Sequence, residues 1–382
     1  MTVSSGMSAG TEAQGGLESV TATGRVDSLT GIRAVAALLV VLTHAAYTTG
    51  RYGQGYIGLM FSRMEIGVPI FFVLSGYLLF SPWVRACADD SPAPSVRRYA
   101  WHRVRRIMPA YAVTVVAAYL VYHWRTAGPN PGHTWEGLAR NLTLTQIYTD
   151  NYLYSYLHQG LTQMWSLAVE AAFYVALPAM AYLLLVVLCR RRWRPWLLLA
   201  GLAAFAALSP AWLWLVHTTT FLPDGARLWL PGYLSWFVGG MVLAVLAAMR
   251  VRAYALVCLP IVVISYFIVS TPIGGEPTTS PALLWEALAK SAFYAVIATL
   301  VVAPLALGNT GLYAKVMASR PMVFLGEISY EIFLIHLVTM ELVMVEILQY
   351  PIYTGSVWLL FIGTLVATVP LAWLLHRFTR VR

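Results

Sequence analysis

The sequence predicts an all-α, polytopic membrane helix bundle of about ten transmembrane helices, with both termini cytoplasmic. Three observations carry that expectation: an apolar excess, the lengths of the apolar runs, and the side on which the basic residues fall. Of 382 residues, 59% are apolar and 11% charged, and the mean hydropathy is +0.69. An average soluble domain carries about 25% charged residues, so this chain lacks the polar surface to cover a water-facing core. The excess apolar surface has to face lipid.

In chain order, residues 1–25 are rich in Ser, Gly, Thr and Ala with few apolar anchors, and read as a disordered cytoplasmic tail. They lack the basic, apolar and small-residue pattern of a cleaved signal peptide, and Thr2 excludes N-myristoylation. Residues 26–382 read as a single transmembrane domain. Ten runs approach the roughly 20 helical residues needed to cross the hydrocarbon core. They lie near 29–48, 66–83, 106–125, 165–189, 195–216, 230–249, 253–271, 282–307, 322–347 and 356–376. With the N-terminus inside, most of the 25 basic residues fall in inner segments, and only Arg51, Arg63, Arg125, Arg140 and Arg227 fall in outer ones. The stretch 126–164 reads as a loop or re-entrant cap over the outer mouth. The expected location is the inner (plasma) membrane.

The net charge of +9 sits in short arginine clusters between apolar runs, which points to anionic membrane lipids and against nucleic acid. Cys87, Cys189 and Cys258 show no CxxC spacing, so neither a disulfide nor a metal site is expected.

Ionisable side chains inside spans carry the functional signal, because each costs roughly 2.5–3.5 kcal/mol at mid-bilayer on insertion scales. Arg33 and His44 are about three turns apart on one stripe of the first span. Singly, Arg33 could snorkel to the inner surface and His44 could bond a neighbour; together they favour function. At 1.5 Å per residue, His44, Glu170 and His336 come to about the same level, roughly 8 Å below the outer face. A His beside a carboxylate suits general-base work, so His44 is expected within direct or single-water reach of Glu170.

The basic run preceding the third span, from Arg97 to Arg106, has two readings. It can be plain positive-inside topology, or Arg103 and Arg106 can pair with phosphate oxygens from one helical face. The small residues from Gly67 to Gly76, Ser75 among them, suit close helix packing or an acyl-chain groove. The tyrosines 148, 152, 154 and 156 suit interface anchoring or sugar stacking. A transporter would also gather Arg, His and Glu in a cavity, but no two halves of matching pattern with broken helices are visible.

Five segments resemble the acyltransferase 3 family of membrane acyltransferases. They are Leu29–Ala37 leading to His44, Gly67–Tyr77, Arg103–Tyr111, Trp165–Glu170, and Leu325–His336, which includes Tyr330. Each is weak alone; the five in order are specific. The resemblance implies transfer of an acyl group, commonly acetyl, from cytosolic acyl-CoA to a hydroxyl of an extracytoplasmic glycan or glycolipid, with no metal. It implies His44 as catalytic base, Arg33 as its companion near the donor, and Arg103 with Arg106 as the CoA-phosphate contact, while Glu170 is counted catalytic from its depth beside His44. His336, Ser75 and Tyr330 are left as substrate or structural candidates. Usage of Arg over Lys suits a mycobacterial trehalose-monomycolate acetyltransferase-like member, with envelope-lipid export machinery as a further partner. The donor's thioester should then reach His44 through a continuous channel, a climb of about 16 Å from Arg33.

Overall fold

The computed structural model describes residues 9–125, 129–278, 281–308 and 310–380. It is helical throughout, with no strand among the described residues. Lipid offers the backbone no hydrogen-bond partners, so a helix is the way a single segment can satisfy its own amides there. α1 (Ala9–Thr48) enters the apolar region at Asp27. Its backbone is helical upstream too, where composition predicts a disordered tail; extending an existing helix needs no new nucleus. α2 (Gly55–Ser62) and a tight turn feed α3 (Gly67–Ala88), and α4 (Val96–Trp124) and α5 (Trp135–Leu142) follow. Next come α6 (Trp165–Ala181), α7 (Pro195–Thr218), α8 (Leu230–Ala248), α9 (Ala255–Val269) and α10 (Leu284–Ala306). α11 (Leu312–Met317), α12 (Arg320–Glu327), α13 (Ser329–Leu342) and α14 (Val357–Thr379) complete the chain.

Among the described residues, eight helical segments are long and apolar enough to cross a membrane, or nine if the bent pair α12–α13 counts as one span. Two of the ten expected spans differ. The seventh is the 15-residue α9, shorter than a full crossing. The ninth is not straight: α12 and α13 meet at a 70° bend, around Ile328. Broken backbone at membrane depth is tolerated where it is buried in protein or lines a cavity, and this bend lines one. α4 begins ten residues before the expected span, so Arg103 and Arg106 lie on one helix.

α1 is the spine. One stripe of it, including Ile32, Ala36 and Val40, joins the larger apolar core with α3, α6, α8 and α10. The opposite stripe, Ala37, Val41 and Ala45, packs on Ile332, Met340, Leu360 and Ala372 of α13 and α14. α3 and α8 touch backbone to backbone: a Cβ on Gly76 would lie 2.0 Å from the Phe237 carbonyl oxygen, and one on Gly240 1.9 Å from that of Val73. Packing, rather than an acyl groove, therefore accounts for Gly76. Arg63, counted above as an outer-loop charge, is a fully buried strut. Its Nε donates to the Val269 carbonyl at 3.0 Å, and its guanidinium also bonds the Gly275 carbonyl, clamping the entry to α3 onto the end of α9.

Between α4 and α6 the chain folds back on the bundle. The Tyr111 hydroxyl donates to the Asn141 carbonyl at 2.6 Å, the Tyr119 hydroxyl to that of Gly132 at 2.6 Å, and the Trp229 indole to that of Ile147 at 3.2 Å.

Candidate active site

The site lies around the basic half of α1. Gly31 makes it possible: a Cβ there would lie 1.8 Å from the Met317 carbonyl oxygen, and one on Gly326 would lie 2.0 Å from that of Thr30. Backbones this close set Arg33 of α1 against Glu327 and Tyr330 at the bend. α3 contributes Ser75, α4 Arg103 and Arg106, and α6 Glu170 and Tyr174. Together they line a cavity of about 290 Å³.

Glu170 is its centre. Its Oε1 accepts from the Ser75 hydroxyl and, at 2.5 Å, from the Tyr174 hydroxyl one helical turn on. Arg33 feels Glu170, Arg103 and Arg106 electrostatically, yet none of the three arginines makes an ion pair or side-chain hydrogen bond to another described residue. Three guanidiniums with donors to spare make an anion site. Tyr330 is anchored, its hydroxyl donating to the Ile107 carbonyl at 3.0 Å.

Arg33, Arg103, Arg106, Glu327 and Tyr330 also line a second, wider vestibule of about 540 Å³. His102, Arg105, Glu331, His376 and Arg380 complete its rim. His376 Nδ1 lies 2.9 Å from Glu331 Oε1, while Glu331 Oε2, His376 Nε2 and Arg103 Nε are buried with no partner. Buried polar atoms are ordinarily paired, so three orphans around one vestibule mark a place a polar ligand would fill.

His44 stands elsewhere. The cavity ends against Phe71 and Phe333, whose rings lie 6.3 Å apart, edge to face. Behind that layer is His336, with its ring 6.0 Å from Phe333 and 5.1 Å from His44. His44 Nδ1 is 2.8 Å from the Val40 carbonyl oxygen and 3.3 Å from His336 Nε2. Neither histidine lines the cavity, and no hydrogen bond or ion pair joins His44 to Glu170 or to Glu65, which pairs with Lys290 and accepts from the Tyr294 hydroxyl at 3.0 Å.

The structure thus brings His44 to His336 as expected and sends Glu170 to the arginines instead. The cause is register. The span holding Glu170 starts at Gln159, six residues before Trp165, because a tight helical turn precedes α6. Counted from Gln159, Glu170 is the twelfth residue of the span rather than the sixth. The cavity lining includes Phe71 and Phe333 and does not extend to His44. Sequence reasoning missed Tyr174, Glu65 and the Glu331–His376 pair. Tyr174, at i+4 from Glu170, was visible from spacing; the other two depend on tertiary neighbours.

Among the described residues, no group of three or more His, Cys, Asp or Glu is arranged to hold a metal ion. The chain resembles a peptidoglycan O-acetyltransferase of Listeria monocytogenes serovar 1/2a, 29% identical over 210 residues. That match covers 50% of this chain and 29% of the relative. A putative O-acetyltransferase of Staphylococcus aureus strain COL is 25% identical over 180 residues, covering 44% of this chain and 26% of the relative. The matched segment is thus under a third of each relative's length. Neither points to a trehalose-monomycolate acceptor or to export machinery. No solved structure matches. The family profile described as an acyltransferase domain matches residues 26–377, nearly the whole bundle with its cavity, bend and histidine pair, and so the chain belongs to the acyltransferase 3 family.

Proposed function

We propose that this protein is a membrane O-acetyltransferase, taking an acetyl group from cytosolic acetyl-CoA and placing it on a hydroxyl of an extracytoplasmic glycan or glycolipid. The observation that carries the reading is the arrangement along α1, with a cation-lined vestibule and cavity at Arg33 and a histidine with a bare ring nitrogen at His44. Family membership supports acyl transfer, and the printed names of the relatives support O-acetylation of a glycan. The concentration of arginines at the vestibule suits a cytoplasmic mouth.

On this reading Arg103, Arg106 and Arg105 take the donor's phosphates, and Arg33 lies nearest the point where the donor enters the membrane. Glu170 with Ser75 and Tyr174 lines the path of the pantetheine arm. The thioester passes the Phe71–Phe333 layer to reach His44. There the acceptor hydroxyl oxygen attacks the thioester carbonyl carbon and its proton goes to His44 Nε2. The C–S bond then breaks, and the departing thiolate takes that proton back from His44. Thioester and alcohol become ester and thiol, and the histidine returns to its starting state.

The test is acetyl transfer by the purified protein in nanodiscs, from radiolabelled acetyl-CoA to an N-acetylglucosamine oligosaccharide. Wild type should label the sugar. His44→Ala should lose about 10²–10⁴-fold in rate, the range general-base groups supply, with no loss of folded protein. Near-normal turnover in that variant would remove His44 from the chemistry.

A further inference from the structure

We propose that His336 is a positioning residue that accepts a hydrogen bond from the Nδ1–H of His44 throughout the reaction, reinforcing the tautomer that the Val40 carbonyl sets. This rests on the reading of His44 as base and adds to it the group that makes it one.

The argument is one of donors and acceptors. A carbonyl oxygen only accepts. His44 Nδ1 lies 2.8 Å from the Val40 carbonyl oxygen, so it carries hydrogen; a lone pair there would face another lone pair. In the neutral ring this leaves Nε2 bare, and no described residue bonds Nε2 while His44 remains half-buried rather than sealed. The same logic applies to the neighbour. His336 Nδ1 lies 2.8 Å from the Phe333 carbonyl oxygen and 3.2 Å from that of Ile332, so its Nδ1 also carries hydrogen. Its Nε2 is then a lone pair, and it faces His44 Nδ1 at 3.3 Å. One assignment satisfies every contact: the His44 Nδ1–H is shared between the Val40 carbonyl and His336 Nε2.

The consequence appears when His44 takes a proton. Its Nδ1–H becomes part of an imidazolium, and the bond to His336 becomes charge-assisted, strengthening as the transition state forms. Other histidine bases obtain this from a carboxylate. Here the acceptor is a neutral imidazole, fully buried, fixed by two α13 carbonyls and backed by the ring of Phe333. An unpaired carboxylate in that place would be costly to desolvate. No proton moves to His336; it holds the ring and answers its charge.

The experiment compares His336→Leu, which keeps bulk and removes the acceptor, with His336→Gln, whose amide oxygen can stand near the lost Nε2. Both are measured in nanodiscs with acetyl-CoA and the N-acetylglucosamine oligosaccharide, alone and in the His44→Ala background. His336→Leu should lower kcat about 10–100-fold, as loss of a supporting partner does elsewhere, with the KM for acetyl-CoA unchanged. His336→Gln should recover most of that loss. In the His44→Ala background neither substitution should lower the residual rate further. Full activity of His336→Leu would overturn the pairing, as would a glutamine variant as slow as leucine with the same melting temperature. A further drop in the His44→Ala background would also overturn it, since His336 would then act on its own. An active His44→Ala protein would instead overturn the base reading itself, so the two failures are distinguishable.

Discussion

At its basic end, α1 presents Arg33 to a cavity that already holds a carboxylate and two more guanidiniums, and that opens on a vestibule with three orphaned polar atoms. Eleven residues further along, the same helix holds half-buried His44, with one backbone carbonyl and the His336 ring as its partners. The first region is wide, charged and incompletely satisfied. The second is narrow, neutral and satisfied except at one nitrogen. The contrast teaches what each could do: unsatisfied charge suits a large polyanion, while a single bare nitrogen suits the capture of one proton. Phe71 and Phe333 keep the two apart.

The comparison can be broken by kinetics. On the proposed reading, the largest effect after loss of His44 comes from the arginines. Arg103→Ala or Arg106→Ala should raise the KM for acetyl-CoA by about one to two decades, each lost charge-assisted contact being worth roughly 1.5–3 kcal/mol. The KM for the acceptor should hold. Unchanged donor affinity, read by titration calorimetry, would return these arginines to the topology explanation. A smaller effect sharpens the assignment of Glu170. Glu170→Gln and Arg33→Gln should be non-additive in kcat/KM by about 0.5–3 kcal/mol, whereas Glu170→Gln and His336→Leu should add within about 0.5 kcal/mol. The reverse pattern would restore Glu170 to the histidine site.

The smallest expected effect lies outside the spans, in the segment that folds back between α4 and α6. His158 Nε2 is 3.3 Å from His133 Nδ1, and its ring stands 4.4 Å from that of Tyr119. Burial, and secondarily the charge of His133, hold the His158 pKa down to about 3 from 6.5. The unfolded segment therefore binds a proton below pH 6.5 that the folded one refuses. Stability is present above 6.5 and lost as pH falls toward 3. Amide exchange around 130–160 should accelerate on acidification from pH 7 to 5, and His158→Phe should flatten that response. Exchange independent of pH in the wild type, after correction for the intrinsic rate, would contradict it.

Much of this molecule was legible in the chain. Apolar run length located α3, α7, α8, α10 and α14, because crossing hydrocarbon constrains length and composition directly. The bend at Ile328 was not legible: Gly326-Glu327-Ile328-Ser329 carries no proline, and the helix breaks there around a cavity that exists only in the fold. The stripe carrying Arg33 and His44 followed from helical period alone, and the approach of His336 to His44 from depth. Glu170 was misplaced because depth was counted from Trp165, and nothing local announces that Gln159–Met164 is already helical. The pairing of Glu331 with His376 spans 45 residues and two helices, and no spacing rule reaches that far.

The position of α1 between two cores has a consequence for how the protein is made. Arg33 and His44 leave the ribosome well before the residues that surround them in the fold. Their partners at the bend and on α13 come much later, 292 residues separating His44 from His336. At ~5–20 residues per second, that interval is roughly 15–60 s. Throughout it, α1 waits in lipid with an arginine and a histidine whose neighbours do not yet exist. A chain interrupted between α4 and α12 has the three arginines without the bend that frames them, and His44 without His336. On the proposed reading, such a copy would hold a base without its acceptor and a donor site without its frame, and could not use a thioester.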